Sequence, residues 1–495
     1  MATRELKLVS ADSHVVEAPD LWSRWMPAEF RDHPDTPRLV KDEEGGDAWQ
    51  FGRNAKPAPL GIYTAAGKTP EQIRWTGVRY ESTMPGFFQG GPRLKEQDAD
   101  GVDAEVLFGS SRPMGLFLRH KDPDFHLAGF RAYNDWLLKD FCTADPGRLI
   151  GLGYIPGLGV EAAIRELRRV HALGAKGCVI QCWPSAKDQI SPEDDPFWAA
   201  CVALDIPVAV HVRLISVNSP PPPPTGKQGG DIPGLSTTGM LDMPRVIAEA
   251  IFSGVFDRFP RLRFACTEAG AGWLPYLLEQ MDDRYWRNRH WTKCELALLP
   301  SEYFYRNWRI TFMLDQYAVR NRHACGVGNL MWSTDYPHHG TDWPYSRKSV
   351  KEMCHAVPAD EVAAGDIPHA IRFILPNDRM RAGAYVHPAS HAGGPSGGAS
   401  LPPYGVRFRL RADFPLATLP SEGARVIARA MQRYGMLLAD GGNIALTAAS
   451  DTFTTHTWDE VGIDSHSLFG IAVTDMEVVD LGPTIPLTYD CVRNP

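Results

Sequence analysis

An aspartate and a histidine, Asp12 and His14, stand two positions apart where the apolar run LKLV opens into SADSHVVEAPDLW. Side chains at i and i+2 of a strand share a face, so both would project from one side of its C-terminal end. His211 closes a second apolar run, IPVAVH, Glu268 a third, RLRFACTE, and Asp335 a fourth, NLMWSTD, with His338 three residues further on. One histidine at a strand end is ordinary. Four strands ending in polar chemistry are not, and carboxylates buried in such number without a cation would be costly. Imidazoles and carboxylates together suit a borderline or hard dication, Zn²⁺ first, with Mn²⁺ or Fe²⁺ as alternatives. Arg213, two positions after His211, would share its face by alternation and could grip a substrate carboxylate with its guanidinium fork. Glu17 reads as a helix-start carboxylate or an outer support of the site.

These groups need elements to hold them. Eight short runs rich in β-branched and apolar residues, LKLVSA, DAEVLFG, RLIGLGYIP, GCVIQCW, IPVAVHV, RLRFACTE, WRITFML and NLMWSTD, read as strands. Several are separated by segments with helical spacing, such as GVEAAIRELRRVHALGAK and GWLPYLLEQMDDRYW. Near-continuous apolar strands alternating with helices predict a parallel sheet covered on both faces, and eight of them predict a (β/α)8 TIM barrel whose polar strand ends gather at one mouth. No glycine-rich phosphate turn follows any strand, so nucleotide binding has no support. Residues 23–95 show little periodicity. Residues 214–242 carry a proline run, and the expectation is a long loop over the mouth.

After residue 383 the composition changes. HPASHAGGPSGGASLPPYG reads as a Gly/Pro/Ser linker over 384–403, followed by a small mixed α/β module, 404–495, with VRFRLRADFPL, the helix EGARVIARAMQRYG, MLLAD, NIALTA and MEVVDLG. The expected division is therefore a barrel over 1–383, the linker and the module. Net charge is −8 over 495 residues with no basic stripe, which disfavours nucleic acid and anionic membranes as partners. No apolar run approaches the ~20 residues that span a bilayer, and the N-terminus turns polar too early for a secretory signal. A cytoplasmic protein with scattered, buried thiols and a small-molecule substrate is the expectation.

Asp12-x-His14, His211, TEAGAGWLPYLLEQMD and STDYPHHGTDWPYS, with YNDWLLKDF and SGVFDRFPRLRF between them, resemble the amidohydrolase-related family over about residues 6–375. The likeness is to the branch that includes aminocarboxymuconate and resorcylate decarboxylases. It implies a metal-dependent TIM barrel, commonly dimeric, with ligands at Asp12, His14, His211 and Asp335 and catalytic work at Glu268, Asp335 and His338. Two departures stand out: Asp12 where relatives often open with histidine, and Glu268 where they often carry a catalytic histidine. Hydrolysis or non-oxidative decarboxylation of a small, aromatic or amide-containing carboxylate is the leading expectation. Because six side chains exceed one metal's needs, a dinuclear oxygenase is the alternative, and a non-catalytic binding or assembly protein is a third.

Overall fold

The computed structural model describes residues 8–215, 236–237, 239–353, 359–389, 394–443, 446, 456–480 and 482–487. Most of the expected mouth loop 214–242, part of the linker and most of NIALTA lie outside the described residues. The chain divides into two compact units, Met1–Met353 and Cys354–Pro495.

Every run expected as a strand in the first unit forms one. Val9–His14, Ala104–Phe108 and Leu149–Gly151 make one parallel sheet in that order. Gly153–Tyr154, Cys178–Ile180, Val208–His211, Phe264–Thr267, Trp308–Phe312 and Leu330–Trp332 make a second, each strand pairing in parallel with its neighbours in sequence order. The strands are short and apolar because helices cover their outer faces. Val160–Ala172, Asp195–Ala203, Met243–Phe252 and Leu274–Thr292 bury Leu167, Trp198, Ile247 and Leu278 against strand residues such as Ile180, Val210, Phe264 and Ile310.

Two features join the sheets. Only Leu152 separates Leu149–Gly151 from Gly153–Tyr154. At the other end, Asp335 N donates to Asp12 O at 3.0 Å and His14 N to Tyr336 O at 2.5 Å, tying the first strand to the residues after Leu330–Trp332. Buried hydroxyls reinforce this seam: Ser10 Oγ lies 2.8 Å from Ser13 Oγ, which lies 3.0 Å from Thr334 Oγ1, while Thr334 N donates to Ser10 Oγ at 2.9 Å. The register of the first strand slips between Ser10 and Ser13. A bulge there re-aims side chains, as bulges beside functional sites commonly do, and Asp12 sits within it.

Residues 23–95 differ from their aperiodic reading. Arg38–Lys41, Asp47–Gln50 and Ala58–Pro59 form a small antiparallel sheet, and Trp49 Nε1 donates to Tyr80 Oη, which in turn donates to Glu17 O at 2.6 Å. The second unit begins earlier than residue 383 because Ile371–Leu375 pairs with Met436–Gly441 rather than with any strand of the first unit. Its sheet runs Ile371–Leu375, Met436–Gly441, Arg407–Leu410, Met476–Val479, and the helix Glu422–Arg433 packs Ala424, Ile427 and Met431 into a core with Phe373 and Leu438.

Candidate metal centre

The strand ends bring Asp12, His14, His211, Glu268, Asp335 and His338 together. Two groupings could hold a cation, Asp12–His14–His211–Glu268 and His14–Glu268–Asp335–His338, the ligand atoms within each lying within 4.8 Å of one another. His14 Nε2 lies 3.2 Å from His211 Nε2, 3.3 Å from Asp335 Oδ1, 3.6 Å from Asp12 Oδ1 and 3.7 Å from Glu268 Oε2. His211 Nε2 lies 3.5 Å from Asp12 Oδ1 and 3.2 Å from Glu268 Oε2. Ligands about 2.0–2.2 Å from a tetrahedral cation are about 3.3–3.6 Å from one another. The spacings, 3.2–3.7 Å, are close to those of such a shell, and Glu268 rather than Asp335 shares a grouping with Asp12, His14 and His211.

The electrostatics point the same way. Asp12 Oδ1 and Asp335 Oδ1 are buried without a well-formed hydrogen bond and face only imidazole nitrogens, His211 Nε2 at 3.5 Å and His338 Nδ1 at 3.0 Å respectively, an incomplete satisfaction that buried carboxylates seldom accept. Burial drives Asp335 well above the usual carboxylate range, and the charge of Asp12 adds to it. Burial and then Asp335 push Glu268 up to about 7. Burial lowers His14 well below an ordinary imidazole and takes His338 down to about 4, so both favour the neutral form that ligates metals. Burial opposes the charge on His211 too, but Asp12, Glu268 and Asp335 outweigh it and raise this group to about 9. Crowded carboxylates beside largely neutral imidazoles are what a dication would relieve.

Backbone strain marks the same strand ends. Val212, Glu268 and Asp335 all adopt left-handed φ, 62°, 56° and 54°, costing of order 1–3 kcal/mol each for residues other than glycine. The turn at Val212, where Arg213 N donates to His211 O, breaks the alternation expected to place Arg213 beside His211. The strand stops at His211 and Arg213 is exposed. Glu268 does not cap the helix that follows it. No side chain caps it at Trp273; Asp315 holds the turn before it, accepting from Ala271 N and Gly272 N at 2.8 Å, while capping Gln316–Arg320 through Ala318 N. Asp315→Ala should therefore cost about 1–2 kcal/mol in urea denaturation with metal content unchanged; a loss of metal would place Asp315 in the centre instead.

Sequence reasoning did not identify Arg93 as a site residue. Wholly buried, it donates Nε to Glu105 Oε2 at 2.7 Å and Nη1 to His14 O at 3.0 Å, and lies over the Tyr336 ring. Its only signal is an arginine and an acid twelve positions apart, which is no signal at all. A third grouping, His33–Asp35–His120, does not suit a metal. Backbone N–H groups donate to Nδ1 of both histidines, which places the neutral ring's proton on Nε2, and Arg53 already pairs with Asp35.

The sequence profile of the amidohydrolase family matches residues 82–364. The chain belongs to the amidohydrolase family. A solved amidohydrolase from Mycobacterium avium subsp. paratuberculosis K-10 shares its fold at a TM-score of 0.53 and 18% identity, covering 72% of this chain and 96% of that one. Among curated relatives, the 2-amino-3-carboxymuconate-6-semialdehyde decarboxylase of Dictyostelium discoideum is 27% identical over 50% of this chain and 66% of its own length. The gamma-resorcylate decarboxylase of Rhizobium sp. is 26% identical over 55% of this chain and 83% of its own. No helix among the described residues is long and apolar enough to cross a membrane.

Proposed function

We propose that this member of the amidohydrolase family is a metal-dependent, non-oxidative decarboxylase of a small aromatic carboxylate, built on eight parallel strands that close into one barrel. The observation that carries the reading is the crowding round His14 Nε2, with His211 Nε2 at 3.2 Å, Asp335 Oδ1 at 3.3 Å, Asp12 Oδ1 at 3.6 Å and Glu268 Oε2 at 3.7 Å. Two of these oxygens, Asp12 Oδ1 and Asp335 Oδ1, are buried without a well-formed hydrogen bond. The relatives named as decarboxylases of carboxylated small molecules support it, and the seam between the first strand and Asp335–Tyr336 supports closure.

Asp12, His14, His211 and Asp335 would hold one divalent cation, Zn²⁺ or Mn²⁺ by donor chemistry. Bound there, it would supply Lewis-acid polarisation of the substrate carboxylate and an adjacent oxygen. Glu268 is the most open carboxylate, with 22% of its side chain exposed against 1% and 5% for Asp12 and Asp335. That openness supports a position for it on the substrate's side of the centre. As CO₂ leaves, the bond between ring and carboxylate breaks and its electron pair stays on the ring carbon, which takes a proton from Glu268. The open side lets Glu268 regain that proton from solvent. His338, stacked on His14 at 3.9 Å between centroids, forms the wall against which a ring would lie.

A dinuclear oxygenase fits less well. Both metal groupings draw on His14 Nε2, and an imidazole nitrogen has one lone pair to give. The test is a panel of hydroxybenzoates incubated with and without oxygen. One CO₂ released per product formed, with no oxygen consumed, is the expected result. Oxygen-dependent turnover, or cleavage of amides without CO₂ release, would replace this reading.

A further inference from the structure

The helix Gly90–Asp100 turns a polar face inward. Arg93, Glu96, Gln97 and Asp100 recur at the spacing that puts side chains on one side of a helix, where a packed helix ordinarily carries an apolar stripe. Polar groups buried in this way are costly unless bonded, and these are bonded to segments that carry the metal centre. Arg93 reaches His14 O. Glu96 Oε2 accepts from Tyr336 Oη, and Glu96 Oε1 accepts from Gly86 N at 2.9 Å. Glu96 O accepts from Trp343 Nε1 at 3.0 Å, and Asp100 accepts from Ser346 N at 2.8 Å and Ser346 Oγ at 2.6 Å. The loop from Tyr336 to Ser346, which carries His338, is thereby held at its start, at Trp343 and at its end.

Tyr336 links this helix to the metal ligands. It follows Asp335, whose left-handed φ persists only if its surroundings hold it there. Tyr336 is buried, its backbone O takes His14 N, and its N donates to Thr334 Oγ1 at 3.1 Å. The Arg93 guanidinium lies 4.2 Å from its ring, which leaves the phenol to Glu96. The seat for that carboxylate is built: a Cβ on Gly86 would stand 1.9 Å from Glu96 Oε2, so only glycine at 86 lets it reach the phenol. We infer that Glu96 is a positioning residue acting through Tyr336: the phenol bond fixes the Tyr336 backbone, and that backbone fixes Asp335 against His14. This role rests on the reading of His14 and Asp335 as metal ligands. Without Glu96 the phenol is a buried donor that regains a partner only by shifting. A shift passed on to Asp335 misplaces a ligand at a site that tolerates only ~0.2 Å.

The test is zinc affinity, measured by competition with a chromogenic chelator on full-length protein first stripped of metal. Tyr336→Phe removes one oxygen and keeps the ring beside Arg93, and Glu96→Ala removes the acceptor. Each should bind zinc ~10-fold or more weakly than the parent, as when groups behind a metal ligand are lost. The double variant should bind no more weakly than the weaker single one, because both remove the same contact. Glu96→Gln, whose carboxamide can still accept from Gly86 N and donate to the phenol oxygen, should keep most of the parent's affinity. A contact that serves folding alone would lower the melting temperature and leave zinc affinity as it was. That result, losses that simply add in the double variant, or no folded protein from either single variant would overturn the role. A parent that binds no zinc would remove the metal centre and this role together, whereas variants that bind as tightly as a zinc-binding parent would remove only the role of Glu96.

Discussion

Glu268→Gln is expected to lower turnover by at least ~100-fold, the low end for losing a positioned proton donor, while the melting temperature stays level or rises. The stability half follows from what Glu268 does not do. Its backbone N–H is held by Thr311 Oγ1 at 2.9 Å, the turn before the following helix is held by Asp315, and burial first, then the charge of Asp335, pushes its carboxyl up to about 7. Glutamine keeps the shape and removes a repulsion. The catalytic half follows from its openness toward solvent and its 3.2 Å approach to His211 Nε2. Metal content separates its two functional roles. Unchanged metal with lost turnover identifies the proton donor, whereas loss of about one equivalent identifies a ligand. Full turnover with unchanged metal would remove Glu268 from the chemistry altogether.

Arg93→Met is expected to destabilise the protein by about 3–5 kcal/mol, the range for breaking a buried ion pair on one side. Arg93 is fully buried and Glu105 is 3% exposed, so the variant leaves a buried carboxylate supported only by Gln97 Nε2. It also frees the carbonyls of His14 and Gly86. Because His14 O is one of them, metal affinity should fall ~10–100-fold, as when groups behind a ligand are lost. A second variant distinguishes the effects. Arg93→Met with Glu105→Leu should recover much of the stability, since an apolar pair can replace a buried ionic one, but not the metal affinity. Denaturant unfolding within ~1 kcal/mol of the parent for the single variant would show that the pair contributes little.

The strands of the first unit were legible because each is a β-branched run bounded by polar residues, and the site was legible because those runs end in Asp, His or Glu. Other features obeyed physics that no local pattern carries. Ile371–Leu375 reads as one more apolar strand, and only its pairing with Met436–Gly441 assigns it to the second unit. Arg38–Lys41 is mostly exposed and too short to show alternation. The alternation that should have aligned Arg213 with His211 fails at one residue, Val212, whose left-handed φ ends the strand. Arg112 and Glu17 line one pocket from 95 residues apart, brought together because the strands that precede them, Val9–His14 and Ala104–Phe108, are neighbours, and this is invisible in either segment alone.

The central claim is that Asp12, His14, His211 and Asp335 hold one divalent cation that the chemistry needs. Elemental analysis of the full-length protein purified without chelator, run beside His14→Ala with His211→Ala, tests it most directly. About one equivalent of zinc or manganese is expected in the parent and next to none in the folded double variant, with CO₂ release lost in parallel. A metal-free parent whose turnover is untouched by chelator, or a double variant that retains its full metal, would contradict it.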